Sequence, residues 1–267
     1  MADPFDSSLD LLRRLNPKNI TQNLNALCNL SPDLTEDLLS SVDQPLEVKR
    51  CKTSGRDYLV CDYNRDGDSY RSPWSNEYDP PLADASGPSA AIRRLEVAAN
   101  DAFDIYRDLY YEGGLSSVYM WDLDDGFAGV VLLKKVSAGA AKSSGNWDSV
   151  HVFEVETAGR TAQYKLTSTV ILNMVTDSGA LGSFDLSGNL TRQTRQSLAV
   201  DDETGHVANL GRMIEDMESK MRNQLQEVYF GKTKDIVSDL RSLGTLSAVR
   251  EEKKLQHEMV SDLGARN

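Results

Sequence analysis

Cysteine is scarce in this chain of 267 residues: Cys28, Cys51 and Cys61 are the only three. The number is odd, no C-x-x-C pair occurs and the spacings fit no zinc module, so neither a disulfide framework nor a structural zinc site is expected. Reduced thiols of a cytosolic protein are the plain reading. Histidine is as rare, with His151, His206 and His257. No G-x-S-x-G, H-E-x-x-H, Walker A or G-x-G-x-x-G occurs, which removes the common nucleophile, zinc and nucleotide sites. Asp122, Asp124 and Asp125 are explained by a surface turn. The residues therefore indicate no catalytic group, cofactor or metal. Positive charge is in deficit, 29 Lys and Arg against 41 Asp and Glu for a formal net charge of -12. That argues against broad binding to nucleic acid or stable insertion into an anionic membrane. No uncharged run reaches the 18 or so residues of a spanning helix. Residues 1–8 carry Asp3 and Asp6 and lack the basic and apolar regions of a signal peptide.

What is present suits a folded chain, with 40% hydrophobic and 26% charged residues. Residues 1–43 predict three short helices, with stripes Leu9, Leu12, Leu15, then Ile20, Leu24, Leu27, then Leu34, Leu38, Val42 after Ser31 as N-cap and Pro32 at the first helical position. Short connections make them antiparallel neighbours. Residues 44–88 are dense in Gly, Pro, Asp and Ser with isolated aromatics, and predict compact turns. A helix is expected over 89–114, starting near Ser89, with Ile92, Leu95, Ala99, Phe103, Tyr106 and Tyr110 on one side and Gly113-Gly114 as its stop.

Residues 115–193 predict strands: Ser117 to Leu123, Phe127 to Leu133, one through Val150, Val152 and Val155, a long fourth over Thr161 to Thr176, and a fifth around Gly182 to Gln193. Short polar turns between them imply an antiparallel meander. A five-stranded sheet with an unpaired edge is an aggregation hazard unless it is covered, so a partner chain is expected. From His206 the period becomes helical. Val207, Leu210, Ile214, Met217, Met221 and Val228 form a heptad-like stripe on a long helix placed over 202–244. The stretch 245–267 is charged and amphipathic, with Leu255, Met259 and Leu263 four apart and Val260 beside them.

Asp62-Tyr63-Asn64-Arg65-Asp66-Gly67-Asp68 matches the opening of an EF-hand calcium loop. The loop needs a bidentate Glu at its twelfth position, where this chain has Pro73. The alternative is a turn in which Asp and Asn side chains bond the backbone. Late in the chain Lys220, Arg222, Lys232, Lys234 and Arg241 form a basic run. It reads either as the solvated face of the long helix or as a contact for an acidic partner or phosphoinositide head groups.

The segment Cys61-Asp62-Tyr63-Asn64-Arg65-Asp66-Gly67-Asp68-Ser69-Tyr70-Arg71-Ser72-Pro73-Trp74-Ser75-Asn76, together with residues 38–45, 78–82, 106–109, 121–124, 164–169 and 229–235, resembles the hallmark segments of the F-actin-capping protein beta subunit family, in order and over nearly the whole chain. The resemblance implies an α+β fold: a three-helix stalk, a turn-rich knob, a helix, a five-stranded antiparallel sheet under a long helix, and a mobile C-terminal tail. The sheet would be continued by the alpha subunit into one of ten strands. The implied activity is non-enzymatic: the heterodimer seals the barbed end of actin filaments and blocks subunit addition and loss, in the cytoplasm at the cortical cytoskeleton. The actin-related filament of dynactin, phosphoinositides and peptide motifs that wrap the stalk are further implied partners. On the same resemblance Leu255, Met259, Val260 and Leu263 enter a hydrophobic cleft on actin, and Lys220, Arg222, Lys232 and Lys234 contact actin. Lys220 and Arg222 would meet phosphoinositides, and Arg13, Arg14, Tyr63 and Tyr78 the regulatory peptides. The competing readings are a calcium-binding or enzymatic protein using the Asp62 to Asp68 loop, and a scaffold without actin contact.

Overall fold

The computed structural model describes residues 3–15, 19–41, 45–137, 143–178, 182–227 and 254. The chain forms two compact units, Met1–Met217 and Glu218–Asn267.

Three helices come first: α1 (Pro4–Arg14), α2 (Ile20–Leu30) and α3 (Thr35–Ser41). Asp3 caps α1 by accepting from the Phe5 amide. Leu12, Leu24 and Leu38, one from each predicted stripe, close a small core of their own. Ser31 precedes a single 3-10 turn, Pro32–Leu34, and its side chain makes no capping bond, unlike the expected N-cap. Val42 lies outside the described residues.

The knob follows as two small sheets. β1 (Glu47–Arg50) pairs with β2 (Asp57–Val60), and β3 (Arg65–Asp66), β4 (Ser69–Arg71) and β5 (Tyr78–Asp79) form a three-stranded meander. Then α4 (Ala90–Tyr111) begins where the Ser89 hydroxyl accepts from the Ile92 amide. It ends where Glu112 and Gly113 take positive φ, 42° and 84°. Gly114 is required for a different reason: a Cβ there would sit 2.5 Å from the Lys134 carbonyl oxygen as the chain turns into the sheet.

The main sheet is an antiparallel meander in the order β10-β9-β8-β7-β6. Its strands are β6 (Leu115–Leu123), β7 (Gly126–Ser137), β8 (Ser143–Ala158), β9 (Thr161–Ser178) and β10 (Gly182–Ala199). All five expected strands are present, several longer than the apolar runs suggested. β8 starts at Ser143 and β10 continues to Ala199, because backbone pairing carries polar residues that apolar patterning cannot register.

Alternation gives the sheet two faces. On one, Val118, Met120, Phe127, Val131, His151, Phe153, Tyr164 and Leu166 are aligned by register and buried. His206, at the start of α5 (Glu203–Leu225), packs its ring edge-on against Phe127 at 5.1 Å and accepts or donates at Tyr164 Oη over 2.8 Å. The other face carries Tyr119, Val130, Leu132 and Val150, which take Leu46 and Leu59 from the knob into one cluster. There the Leu59 amide donates to Ser117 Oγ at 2.9 Å and Tyr119 Oη to the Leu59 carbonyl at 2.7 Å. The buried ion pair of Lys134 with Asp148 also receives the Leu46 amide. Burial raises the Asp148 pKa, against the opposing pull of Lys134.

Two helix faces differ from the expected stripes. In α4 the buried positions are Leu95, Glu96, Ala99, Asn100, Phe103 and Tyr111, whereas Tyr110 is exposed. The helix is rolled so that two polar side chains point into the sheet edge. In α5 the expected Leu210, Ile214, Met217 and Met221 are buried and Val207 is half-buried. Asn209, Met213, Glu218 and Leu225 join them. Val228 and the expected run towards residue 244 lie outside the described residues.

Candidate functional site

The two edges of the main sheet are built differently. At β6 the outward backbone groups of Val118 and Met120 are taken by side chains of α4 and the knob. The Val118 amide donates to Asn100 Oδ1 and the Val118 carbonyl accepts from Asn100 Nδ2, both at 2.9 Å. The Met120 amide donates to Glu96 Oε2 at 2.6 Å, and its carbonyl faces Arg71 Nη2 at 3.5 Å. Glu96 is fully buried and held by the Arg71 fork at 2.8 and 2.7 Å and by Arg93. Arg71 also donates to Asn76 Oδ1 at 2.7 Å, and Arg93 to the Pro73 carbonyl at 2.7 Å. The knob, α4 and the sheet edge are thus one polar network in which a buried carboxylate meets two guanidinium groups and a backbone amide. Such a network needs every member satisfied, because one unpaired buried charge costs more than the pair contributes.

At the opposite edge β10 runs 18 residues, each in register with β9. Among the described residues no strand pairs with its outer side. From residue 187 on its exposed positions, Asn189, Thr191, Arg192, Gln193, Arg195, Gln196 and Ser197, are polar apart from the terminal Ala199, while Leu190 and Leu198 are half-buried. A long free edge is a template for another strand.

The knob holds two of the four residues expected to bind regulatory peptides. Tyr63 is exposed and stacks on Trp121 with ring centroids 5.9 Å apart and planes 8° from parallel. Tyr78 is half-buried on β5 and donates to the Ser86 carbonyl. Arg14 sits on α1, paired with Asp10 at 2.5 Å. Arg13 is on the same helix, and its side chain lies outside the described residues. The structure places the two tyrosines in the knob and Arg14 on the exposed side of α1.

The Asp62 to Asp68 loop closes as a hairpin. Its Asn64 is buried, accepting from the Cys61 amide and donating to the Arg71 carbonyl, both at 2.9 Å. Gly67 turns the chain at φ 56°. The third position of the calcium pattern is therefore aimed at the backbone. Among the described residues no three His, Cys, Asp or Glu side chains converge.

Of the basic run, Lys220 is exposed on α5. Arg222 pairs with the buried Glu218 at 3.4 Å, so part of its charge is engaged within the helix. Lys232, Lys234, Leu255, Met259, Val260 and Leu263 lie outside the described residues.

Sequence reading missed the Arg71, Glu96 and Asn100 network. The one signal was spacing: Glu96 and Asn100 are four apart and so share a helix face, but contacts distant in sequence decide that this face turns inward.

The family model for F-actin capping protein, beta subunit, matches residues 5–237. The chain belongs to that family. The F-actin-capping protein subunit beta of Gibberella zeae is 61% identical over 278 residues, covering 98% of this chain and 99% of that protein. The subunit beta of Aspergillus oryzae is 64% identical over 264 residues, covering 98% and 99%. That of Yarrowia lipolytica is 59% identical over 266 residues, covering 98% of each. Among solved structures, the homodimeric actin capping protein alpha subunit from Plasmodium berghei matches with a TM-score of 0.52. It is 16% identical and covers 89% of this chain and 95% of that one, a likeness of fold. Alignments that cover 98% of this chain take in most of residues 238–267, which the family model leaves unmatched.

Proposed function

We propose that this chain is the beta subunit of a heterodimeric actin capping protein. An alpha subunit joins the β10 edge and continues the sheet, and the heterodimer binds the barbed end and blocks subunit addition and loss without catalysis. The observation that carries this reading is the asymmetry of the edges, one sealed by α4 and the knob and one, along β10, that no strand joins among the described residues, in a chain of this family. The site of action is the cytoplasmic actin cytoskeleton. In this reading Leu255, Met259, Val260 and Leu263 occupy an apolar cleft on actin, a helix-in-groove contact. Lys220, Lys232 and Lys234 steer association through actin's acidic surface, with Arg222 contributing the charge that Glu218 leaves. Phosphoinositides compete at Lys220 and Arg222, peptide motifs dock on Tyr63, Tyr78, Arg13 and Arg14, and the actin-related filament of dynactin is a second filament partner.

The deciding experiment is barbed-end elongation from actin seeds with the co-expressed heterodimer. Substoichiometric protein should stop both growth and shrinkage at barbed ends and leave pointed ends unaffected. Unchanged barbed-end rates with a soluble, folded heterodimer would leave a scaffold without actin contact.

A further inference from the structure

The face of α4 turned away from the sheet carries a second apolar line. A helix lying on a sheet normally presents charge to solvent. Here Ala98, Ala102, Ile105 and Leu109 recur at intervals of four, three and four, the spacing of a two-stranded coiled-coil seam. Ile105 is 64% exposed and Leu109 71%. Single exposed leucines are ordinary, but an aligned row with a charged flank is not. Asp101 and Asp108 occupy that flank one heptad apart, both exposed. Asp108 pairs with the largely buried Arg107 at 3.1 Å and keeps 65% of its side chain in solvent. Arg94, one heptad before Asp101, has the opposite sign, so the acidic stretch covers the C-terminal half of the seam.

We propose that this outer face of α4 docks an amphipathic helix of another protein, one with an apolar seam and Lys or Arg beside it. Three observations select this occupant. The alanines allow a helix to approach closely at the N-terminal half, and Ile105 and Leu109 supply the apolar anchors at the other. The acidic flank calls for a basic one, since charges flanking a seam set partner choice. A second copy of this chain would bring the same acids together across the pair, which is unfavourable. The strand that joins the sheet does not compete, because α4 packs on β6, at the opposite end of the strand order from β10.

The test uses the co-expressed heterodimer and a synthetic 21-residue helix with Leu at both seam positions and Lys at both flanks. Lysine on both flanks also keeps the peptide from pairing with itself. Fluorescence anisotropy should show saturable binding that weakens at least tenfold in Ile105→Ser/Leu109→Ser. Both side chains are mostly in solvent, so unfolding temperature should not move. Asp101→Lys/Asp108→Lys should weaken binding most at low salt, and the same peptide with Glu at its flanks should not bind. Unchanged affinity in the serine variant, or equal binding of the two peptides, overturns the proposal. So does pairing of heterodimers that Leu109→Ser abolishes, which assigns the face to a second copy. Binding that appears only after residues 245–267 are removed overturns it too, in favour of the chain's own tail.

Discussion

At β6 the outward amides and carbonyls of Val118 and Met120 all face side chains of α4 or the knob, whereas along the outer side of the 18-residue β10 no strand pairs among the described residues. Both are edges of one sheet, and their difference lies in the price of leaving them open. The sealed edge commits Glu96, Asn100 and Arg71 to interior positions, where each must stay paired. The open edge commits nothing and leaves the strand dependent on a partner. A sheet with one sealed and one open edge can add a single further sheet and then stop, which is the stoichiometry a heterodimer needs.

The largest expected effect follows from supplying or withholding that partner. Expressed alone, the chain should aggregate or misfold; co-expressed with the alpha subunit it should be soluble. Amides on the outer side of β10 should exchange rapidly with deuterium in any soluble solitary fraction and become protected in the heterodimer. Leu190→Lys, which places a charge at a half-buried position of the edge strand, should reduce both self-association and heterodimer yield. A monodisperse solitary chain that unfolds cooperatively would break the comparison at its open side.

Next comes the sealed side. Glu96→Ala removes the carboxylate that Arg71 and Arg93 share. Stranding buried charge in this way costs about 3–5 kcal/mol, to be read from denaturant unfolding of the heterodimer. A loss below about 1 kcal/mol, the scale of an exposed ion pair, would mean that the network does not hold the edge.

These residues also mark the limit of what the sequence displays. Strands β6 to β9 were legible because Val118, Met120, Phe127, Val131, Val152, Val155 and Leu166 alternate or cluster as buried strands do. The beginning of α4 was legible because Ser89 is a local cap that acts within one turn. The roll of α4 was not, because it is decided by contacts 18 and 24 residues distant in sequence, Asn100 with Val118 and Glu96 with Met120. Hydrophobic periodicity treats both side chains as solvent-facing. The open site has a similar difficulty: β10 is an edge because nothing described pairs with it, and no residue pattern announces an absence. Its polar run after Gly188 lowered the apparent strand to Gln193, although pairing continues through Gln196↔Tyr164 and Leu198↔Ala162.

A smaller effect is expected at Asn100, which is neutral. Asn100→Ala deletes the two hydrogen bonds to Val118, and water entering the space the side chain leaves can reach the amide and carbonyl, so the loss is about 0.5–1.5 kcal/mol for each bond. Deuterium exchange at the Val118 amide should accelerate, while the β7 amides paired to the inner side of β6 keep their protection. If Val118 stays protected, the edge is covered by something other than this side chain.

The smallest effect is at the rim, where the sealed edge is tied to the start of α4. The Ser89 amide donates to Asp122 Oδ2 at 2.7 Å. The Ser89 hydroxyl and then its amide lower the Asp122 pKa below the ordinary value of 3.8. A carboxylate with a depressed folded value adds stability above its unfolded pKa of about 3.9, and that stability is lost as pH falls through the folded value. Asp122→Asn keeps an oxygen acceptor for the Ser89 amide and does not titrate. The wild type should therefore be the more stable protein near neutrality, and its advantage over Asp122→Asn should shrink as pH drops below about 4. Ser89→Ala should cost about 1 kcal/mol as the loss of a helix cap, and it should also move the Asp122 titration upward, measurable by carboxyl carbon NMR. The two readouts separate the roles of one hydroxyl. A stability loss with an unmoved Asp122 titration would leave Ser89 as a cap for α4 alone, and the rim of the sealed edge would then rest on the backbone amide.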